Sequence, residues 1–161
     1  MVINADDILH LLEDVCDPEV PVLSIVDLGV VRGVEVHENA VEVRLTPTYS
    51  GCPAMDVISS AVRERLEAEG FSVQITMVLS PAWTTDWLSE AGKEKLLAYG
   101  IAPPVDTPTP RALFGAEPIV HCPQCGSAQT ELLSLFGSTA CKSLYRCKAC
   151  LEPFDYFKCL K

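Results

Sequence analysis

The chain has 161 residues, 48% hydrophobic and 21% charged, the make-up of a folded chain of about one ordinary domain rather than a disordered one. Its net charge of −10 is lopsided: residues 1–99 hold 17 acids against 6 bases, and residues 100–161 hold 5 against 6. So acidic a first part repels phosphate backbones and anionic lipid, which argues against nucleic acid and membranes as partners. No apolar run nears the roughly 18–20 residues of a membrane span. The stretch from Met1 to Asp7 lacks the basic and long apolar regions of a secretory signal, so the expected location is the cytoplasm.

A short helix is expected first. Asn4, Asp6 and Asp7 suit a helix N-terminus, and Ile8, Leu11, Leu12 and Val15 repeat at helical spacing. Pro18 and Pro21 forbid its continuation. Residues 29–36 and 40–46 read as strands about a His37-Glu38-Asn39 turn; in the second, Val41, Val43 and Leu45 alternate with Glu42 and Arg44. Ala54 to Glu69 reads as a helix with Ile58, Val62 and Leu66 on one face, closed by Gly70. Phe71 to Leu79 alternates as a third strand, and Ser89 to Tyr99 reads as a last helix. The order α-β-β-α-β-α predicts an α+β domain with a small mixed sheet over residues 1–99. Trp83 and Trp87, four apart, are expected to be partly buried.

Residues 100–120 hold five of the twelve prolines and read as a semi-rigid linker. Residues 121–161 are then a unit of 41 residues, a size that usually needs a metal or disulfides. Six of the eight cysteines fall there. In a cytosolic chain that density reads as metal binding. Cys122-Pro-Gln-Cys125 and Cys147-Lys-Ala-Cys150 are two CxxC pairs separated by 21 residues. Each pair lets two thiolates grip one ion, and two such knuckles make a four-sulfur tetrahedron. Strand-like segments at Ala128–Phe136, Lys142–Arg146 and Glu152–Lys158 complete a zinc-ribbon-like β domain. Zinc suits the site best; iron or an iron–sulfur cluster also takes four thiolates. Cys141 and Cys159 read either as buried small hydrophobes or as extra ligands or a redox pair. His121, beside Cys122, reads as an exposed neighbour.

Thr46-Pro-Thr48-Tyr-Ser50-Gly-Cys52-Pro53 leads into the second helix. With Pro53 at the first helical position, Cys52 lies at or beside the N-cap, where dipole and amides are expected to lower its pKa. Such a thiol can be a nucleophile, a redox switch or a transient metal ligand, or simply a small capping residue. Thr46, Thr48 and Ser50 are candidate hydrogen-bond partners. Asp17, Glu19 and Asp27 lie in the loop after the first helix; converging on Cys52 they would favour a cation, and otherwise they are solvated or cap helices. Cys16 is expected in the core.

Asp17-Pro-Glu, Val26-Asp27-Leu-Gly29 and Leu45-Thr-Pro-Thr-Tyr-Ser-Gly-Cys52-Pro53 resemble the small domain associated with iron–sulfur cluster assembly. In that family the cysteine matching Cys52 is the residue held functional. Over a longer span, Thr48-Tyr-Ser-Gly-Cys52-Pro-Ala, Pro81-Ala-Trp-Thr-Thr-Asp-Trp87, Phe136-Gly-Ser-Thr-Ala-Cys141-Lys, Leu144-Tyr-Arg-Cys147 and Glu152-Pro-Phe-Asp-Tyr-Phe-Lys-Cys159 are similar to the PaaD family of the phenylacetyl-CoA epoxidase system. Ser80 departs from the acid expected before Pro-Ala-Trp. The resemblance implies an accessory or maturation subunit in aerobic phenylacetate breakdown, serving the iron of the oxygenase or the cluster of its reductase. Those subunits are the implied partners, and a homodimer is a further possibility. No Glu-x-x-His pair, flavin or nicotinamide fingerprint, or acid/base set supports an enzyme in its own right. The competing expectations are an accessory iron–sulfur electron carrier and a structural adaptor with zinc for folding alone.

Overall fold

The computed structural model describes residues 2–49, 51–105 and 119–158, and these divide into two compact units, Met1–Gly92 and Lys93–Lys161. In the first, α1 (Ala5–Leu12) opens with a capping box: the Asn4 side chain accepts from the Asp7 amide, and the Asp7 carboxylate accepts from the Asn4 amide, each at 3.0 Å. Ile8 and Leu12 are fully buried. The helix ends at Leu12, so Val15 is buried from the loop that follows and not from the helix.

β1 (Val31–His37) and β2 (Ala40–Leu45) form an antiparallel hairpin, and β3 (Ser72–Met77) adds parallel to β2 after α2 (Ala54–Glu67). The sheet order is β1-β2-β3. On β2 the alternation holds: Val41, Val43 and Leu45 are buried while Glu42 and Arg44 lie half-buried, Glu42 accepting from the Thr76 hydroxyl at 2.9 Å. From α2, Ile58, Val62 and Leu66 close the core against the sheet. The helix stops two residues short of the expected Glu69 because Gly70, at φ +95°, takes the chain through the left-handed region.

Beyond β3 and the cis Ser80–Pro81 peptide, the chain makes a 3-10 turn at Thr85–Trp87 that the residue pattern did not announce. It lies against the loop of residues 13–30. The Trp83 indole N–H donates to the Leu28 carbonyl at 2.8 Å, and the Ser89 amide donates to the Asp27 carbonyl at 2.8 Å. Arg32 stacks on the Trp87 ring, 3.6 Å from its centroid. Gly29, at φ +72°, passes so close that a Cβ there would sit 2.5 Å from the Trp87 carbonyl oxygen. Trp83 is buried and Trp87 half-buried.

α3 (Glu90–Tyr99) is followed at once by β4 (Ile101–Ala102), which pairs parallel with β7 (Pro153–Phe157). A short strand thus stands where a linker was expected to start, because Ile101 and Ala102 are apolar enough to bury on the ribbon; residues 106–118 lie outside the described residues. β5 (Thr130–Ser134) and β6 (Lys142–Cys147) complete an antiparallel run, giving the order β4-β7-β6-β5. Tyr145 stacks on Phe154 with centroids 5.8 Å apart and meets Tyr156 edge-on at 5.6 Å. The architecture is α+β followed by a zinc-ribbon-like β domain, as the sequence predicts. No helix among the described residues is long and apolar enough to cross a membrane.

Gly29 and Gly70 separate two effects. Both need positive φ, but space around Gly70 is open. Gly70→Ala is expected to cost about 1 kcal/mol, and Gly29→Ala at least about 2 kcal/mol because backbone must also move. Urea unfolding of the two variants checks the difference.

Candidate functional site

Two sulfur sites emerge, one in each unit. In the second unit the Sγ atoms of Cys122, Cys125, Cys147 and Cys150 all lie within 4.8 Å of one another. Cys122 and Cys150 approach to 3.7 Å and Cys125 and Cys147 to 3.5 Å. A tetrahedral zinc with bonds of about 2.3 Å places its sulfurs about 3.8 Å apart, so the set fits one ion. The CxxC turns aim backbone at the sulfurs: the Gln124 amide donates to Cys122 and the Cys150 amide to Cys147, each at 3.4 Å. Cys122 and Cys147 are buried in the ribbon core with Val120, Tyr145 and Phe154, while Cys125 and Cys150 are exposed.

The four thiols are electrically unequal. The Cys150 amide pulls Cys147 down to about 6 against the opposing effect of burial, helped by the Ala149 amide and neighbouring sulfurs. At Cys150 the Glu152 amide favours the thiolate, but burial and the other three thiols outweigh it and push the group up to about 12. Four like ionisations cannot share so small a volume without a cation, and a bound metal replaces the protons. His121 is exposed, its Nδ1 3.2 Å from the Gly126 carbonyl oxygen, and stands outside the sulfur set.

Cys141 is buried away from that set, its sulfur 3.0 Å from the Thr139 hydroxyl. Cys159 lies outside the described residues. Near Cys141, the Lys158 ammonium lies 3.0 Å from the Ala140 carbonyl oxygen and 4.2 Å from the centroid of the Phe136 ring.

In the first unit Cys52 sits in the loop between β2 and α2. The helix begins at Ala54 with Pro53 in the cap position and not at the first helical position, and Cys52 lies beside the cap. It is 9% exposed. Burial pushes its thiol up, opposed by a hydrogen bond from the Ala54 amide; the Glu19 carboxylate raises it further, and the Tyr49 and Thr48 side chains hold part of the rise back. The expected low-pKa thiolate is therefore corrected: desolvation outweighs the helix terminus, and the nearby charge is negative.

Of the residues expected around this thiol, Glu19 and Thr48 interact with it, and Tyr49 joins them. Ser50 lies outside the described residues. Asp17 accepts from the Glu19 and Val20 amides at 2.7 and 3.1 Å, which fixes the turn of the loop that carries Glu19. Asp27 accepts from the Ser24 amide and the Ser89 hydroxyl, both at 3.2 Å, and so ties the loop to the start of α3. Cys16 is exposed and not in the core, because α1 ends four residues earlier and the chain has already turned outward.

Comparison with known proteins follows the same division. Residues 5–77 match a family model described as iron–sulfur cluster assembly protein, and residues 106–158 one described as PaaD zinc beta ribbon domain. The chain is 50% identical over 155 residues, 96% of its length and 92% of the relative's, to an Escherichia coli protein named as one of the subunits of a "Putative 1,2-phenylacetyl-CoA epoxidase". It is 39% identical over 98 residues, 59% of its length and 90% of the relative's, to a Porphyromonas gingivalis protein named "Fe-S protein maturation auxiliary factor". A solved structure of a domain of unknown function, DUF59, from Bacillus anthracis covers 56% of this chain and 89% of its own, at 30% identity and a TM-score of 0.53. With an assembly-type α+β unit, a four-sulfur ribbon and half of its residues shared with an epoxidase component over nearly its whole length, the chain belongs to the PaaD family.

Proposed function

We propose that this protein is a non-catalytic accessory subunit of a phenylacetyl-CoA epoxidase system, working in the cytoplasm to help load iron or an iron–sulfur cluster into the oxygenase or its reductase. The observation that carries the proposal is a buried Cys52 thiol just before α2, within the electrostatic reach of the Glu19 carboxylate, inside a domain whose relatives include an iron–sulfur maturation factor. The cargo is a cation or cationic cluster. Glu19, which disfavours the free thiolate, becomes an attraction when the cargo arrives and Cys52 gives up its proton. Thr48 and Tyr49, which hydrogen-bond the sulfur, keep it oriented while no cargo is bound. A thiol that rests neutral releases its cargo readily, as a transient ligand must.

Cys122, Cys125, Cys147 and Cys150 would hold a resident zinc, which supplies folding stability to a ribbon too small for a large core of its own. Four thiolates also serve iron, and that donor set favours a second reading in which the ribbon carries electrons.

Four outcomes are expected. Cells making the epoxidase with Cys52→Ser should yield oxygenase or reductase at least about tenfold poorer in iron or cluster, measured by metal and acid-labile sulfide analysis; an iron-replete, active epoxidase sinks the proposal. Protein purified without oxygen should be colourless with one zinc per chain, whereas iron and visible absorption would favour the electron carrier. Cys147→Ala should lose the zinc and the ribbon's near-ultraviolet dichroism from Tyr145, with the first unit still folded. Finally, because folding raises the Cys52 pKa, the neutral thiol stabilises the fold below the ordinary ionisation range of a thiol, and that contribution is lost as pH rises through the folded value. Iodoacetamide should accordingly modify Cys52 more slowly than free cysteine at pH 7, with its midpoint shifted to higher pH. Peptide mass mapping of the zinc-loaded chain measures this, and faster modification would contradict it.

A further inference from the structure

The two knuckles of the ribbon are built alike. In the first, the Cys122 amide donates to the Ser127 carbonyl at 2.9 Å; in the second, the Cys147 amide donates to the Glu152 carbonyl at 3.0 Å. In both, the residue after the second cysteine takes positive φ. In the first knuckle that residue is Gly126, at φ +77°, with open space around it. In the second it is Leu151, at φ +66°. Glycine enters the left-handed region freely, whereas a Cβ there crowds the backbone, so a bulky residue at such a φ is an outlier. Glu38 shares the positive φ, but it is a polar residue in the tight turn between β1 and β2.

Packing does not offset this strain. Leu151 is 70% exposed, and among the described large apolar residues only Val2 and Leu79 are more so. All six residues from Lys148 to Pro153 are exposed, so the knuckle stands clear of the ribbon core. Glycine would meet the demands of the turn, as it does at Gly126. An unfavourable backbone that carries an unburied leucine points to a contact outside the chain. The knuckle is also stiff: besides the Cys147–Glu152 bond, the Cys150 amide donates to the Cys147 sulfur at 3.4 Å, and both cysteines belong to the four-sulfur set. An aliphatic side chain on a rigid, projecting turn has little backbone freedom left to lose on association.

We propose that Leu151 is the anchor by which the ribbon docks on another subunit of the epoxidase system, seated in an apolar cleft of that subunit. This docking rests on the accessory-subunit reading and adds to it the surface that makes the contact. Lys148 and Glu152 flank the leucine with one charge of each sign, so the tip of the knuckle is neutral and selects an apolar cleft, not a charged one. A second copy of this chain is the poorer occupant, because two chains of net charge −10 repel each other.

The test titrates the full-length, zinc-loaded chain by calorimetry with the purified oxygenase and reductase subunits, each by itself. One of them is expected to bind, with Leu151→Asn weaker by about tenfold or more, the effect of exposing a buried leucine, and Leu151→Met close to the unaltered chain. Asparagine enters the left-handed region more readily than leucine, so Leu151→Asn should still hold one zinc per chain and unfold at a temperature no lower than the unaltered chain. Undiminished affinity in Leu151→Asn, a lower unfolding temperature in that variant, or no binding of the unaltered chain to either subunit overturns the proposal. Weakened binding in Leu151→Asn with an iron-replete epoxidase in Cys52→Ser would sink the maturation reading alone; an iron-poor epoxidase in Cys52→Ser with undiminished affinity in Leu151→Asn would sink this one alone.

Discussion

The return segment after β3 is pinned to the loop before β1 by the buried Trp83 indole, which donates to the Leu28 carbonyl, and much of the first unit's loop structure is arranged around that bond. Once Trp83 is fixed, Trp87 lies over Gly29 and under Arg32, and Ser89 reaches Asp27. The loop of residues 13–30, which carries Glu19, is thereby fixed at its Asp27–Gly29 end. The same segment supplies Leu79, Ala82 and Trp83 to the wall of a cavity whose other side is residues 46–49. A donor–acceptor bond in a water-poor environment resists exchange with solvent, so the clamp acts as a fixed frame.

The two sulfur sites solve opposite problems. In the ribbon, backbone amides pull Cys147 toward its ionised form, and four thiols crowd into a volume that favours a cation. At Cys52, burial and Glu19 hold the proton on. The balance of the same two effects decides between them: at Cys147 the backbone amide outweighs burial, and at Cys52 burial outweighs the amide.

Much of this was legible in the residues. The two CxxC pairs and the alternation in β2 place the metal set and the sheet directly, because their spacing is fixed by local geometry. The turn at Thr46–Pro53 announces a thiol at a helix start for the same reason. What spacing does not carry is depth. Cys52 reads as an activated thiolate until its burial is known, and Cys16 reads as core until the chain is seen to turn outward. The cavity wall shared by residues 46–49 with Leu79, Ala82 and Trp83 joins segments about thirty positions apart. Ile101 and Ala102 were hidden among prolines, their pairing with Asp155 and Tyr156 being long-range.

The ribbon's four sulfurs are arranged in depth as well as around a centre: Cys122 and Cys147 face the aromatic core, while Cys125 and Cys150 face water. Each CxxC turn contributes one of each kind. A peroxide or other electrophile arriving from solvent meets one outer sulfur from each knuckle before either inner one. Oxidative damage would thus reach both turns together, through Cys125 and Cys150, and leave the buried Cys122 and Cys147 for last.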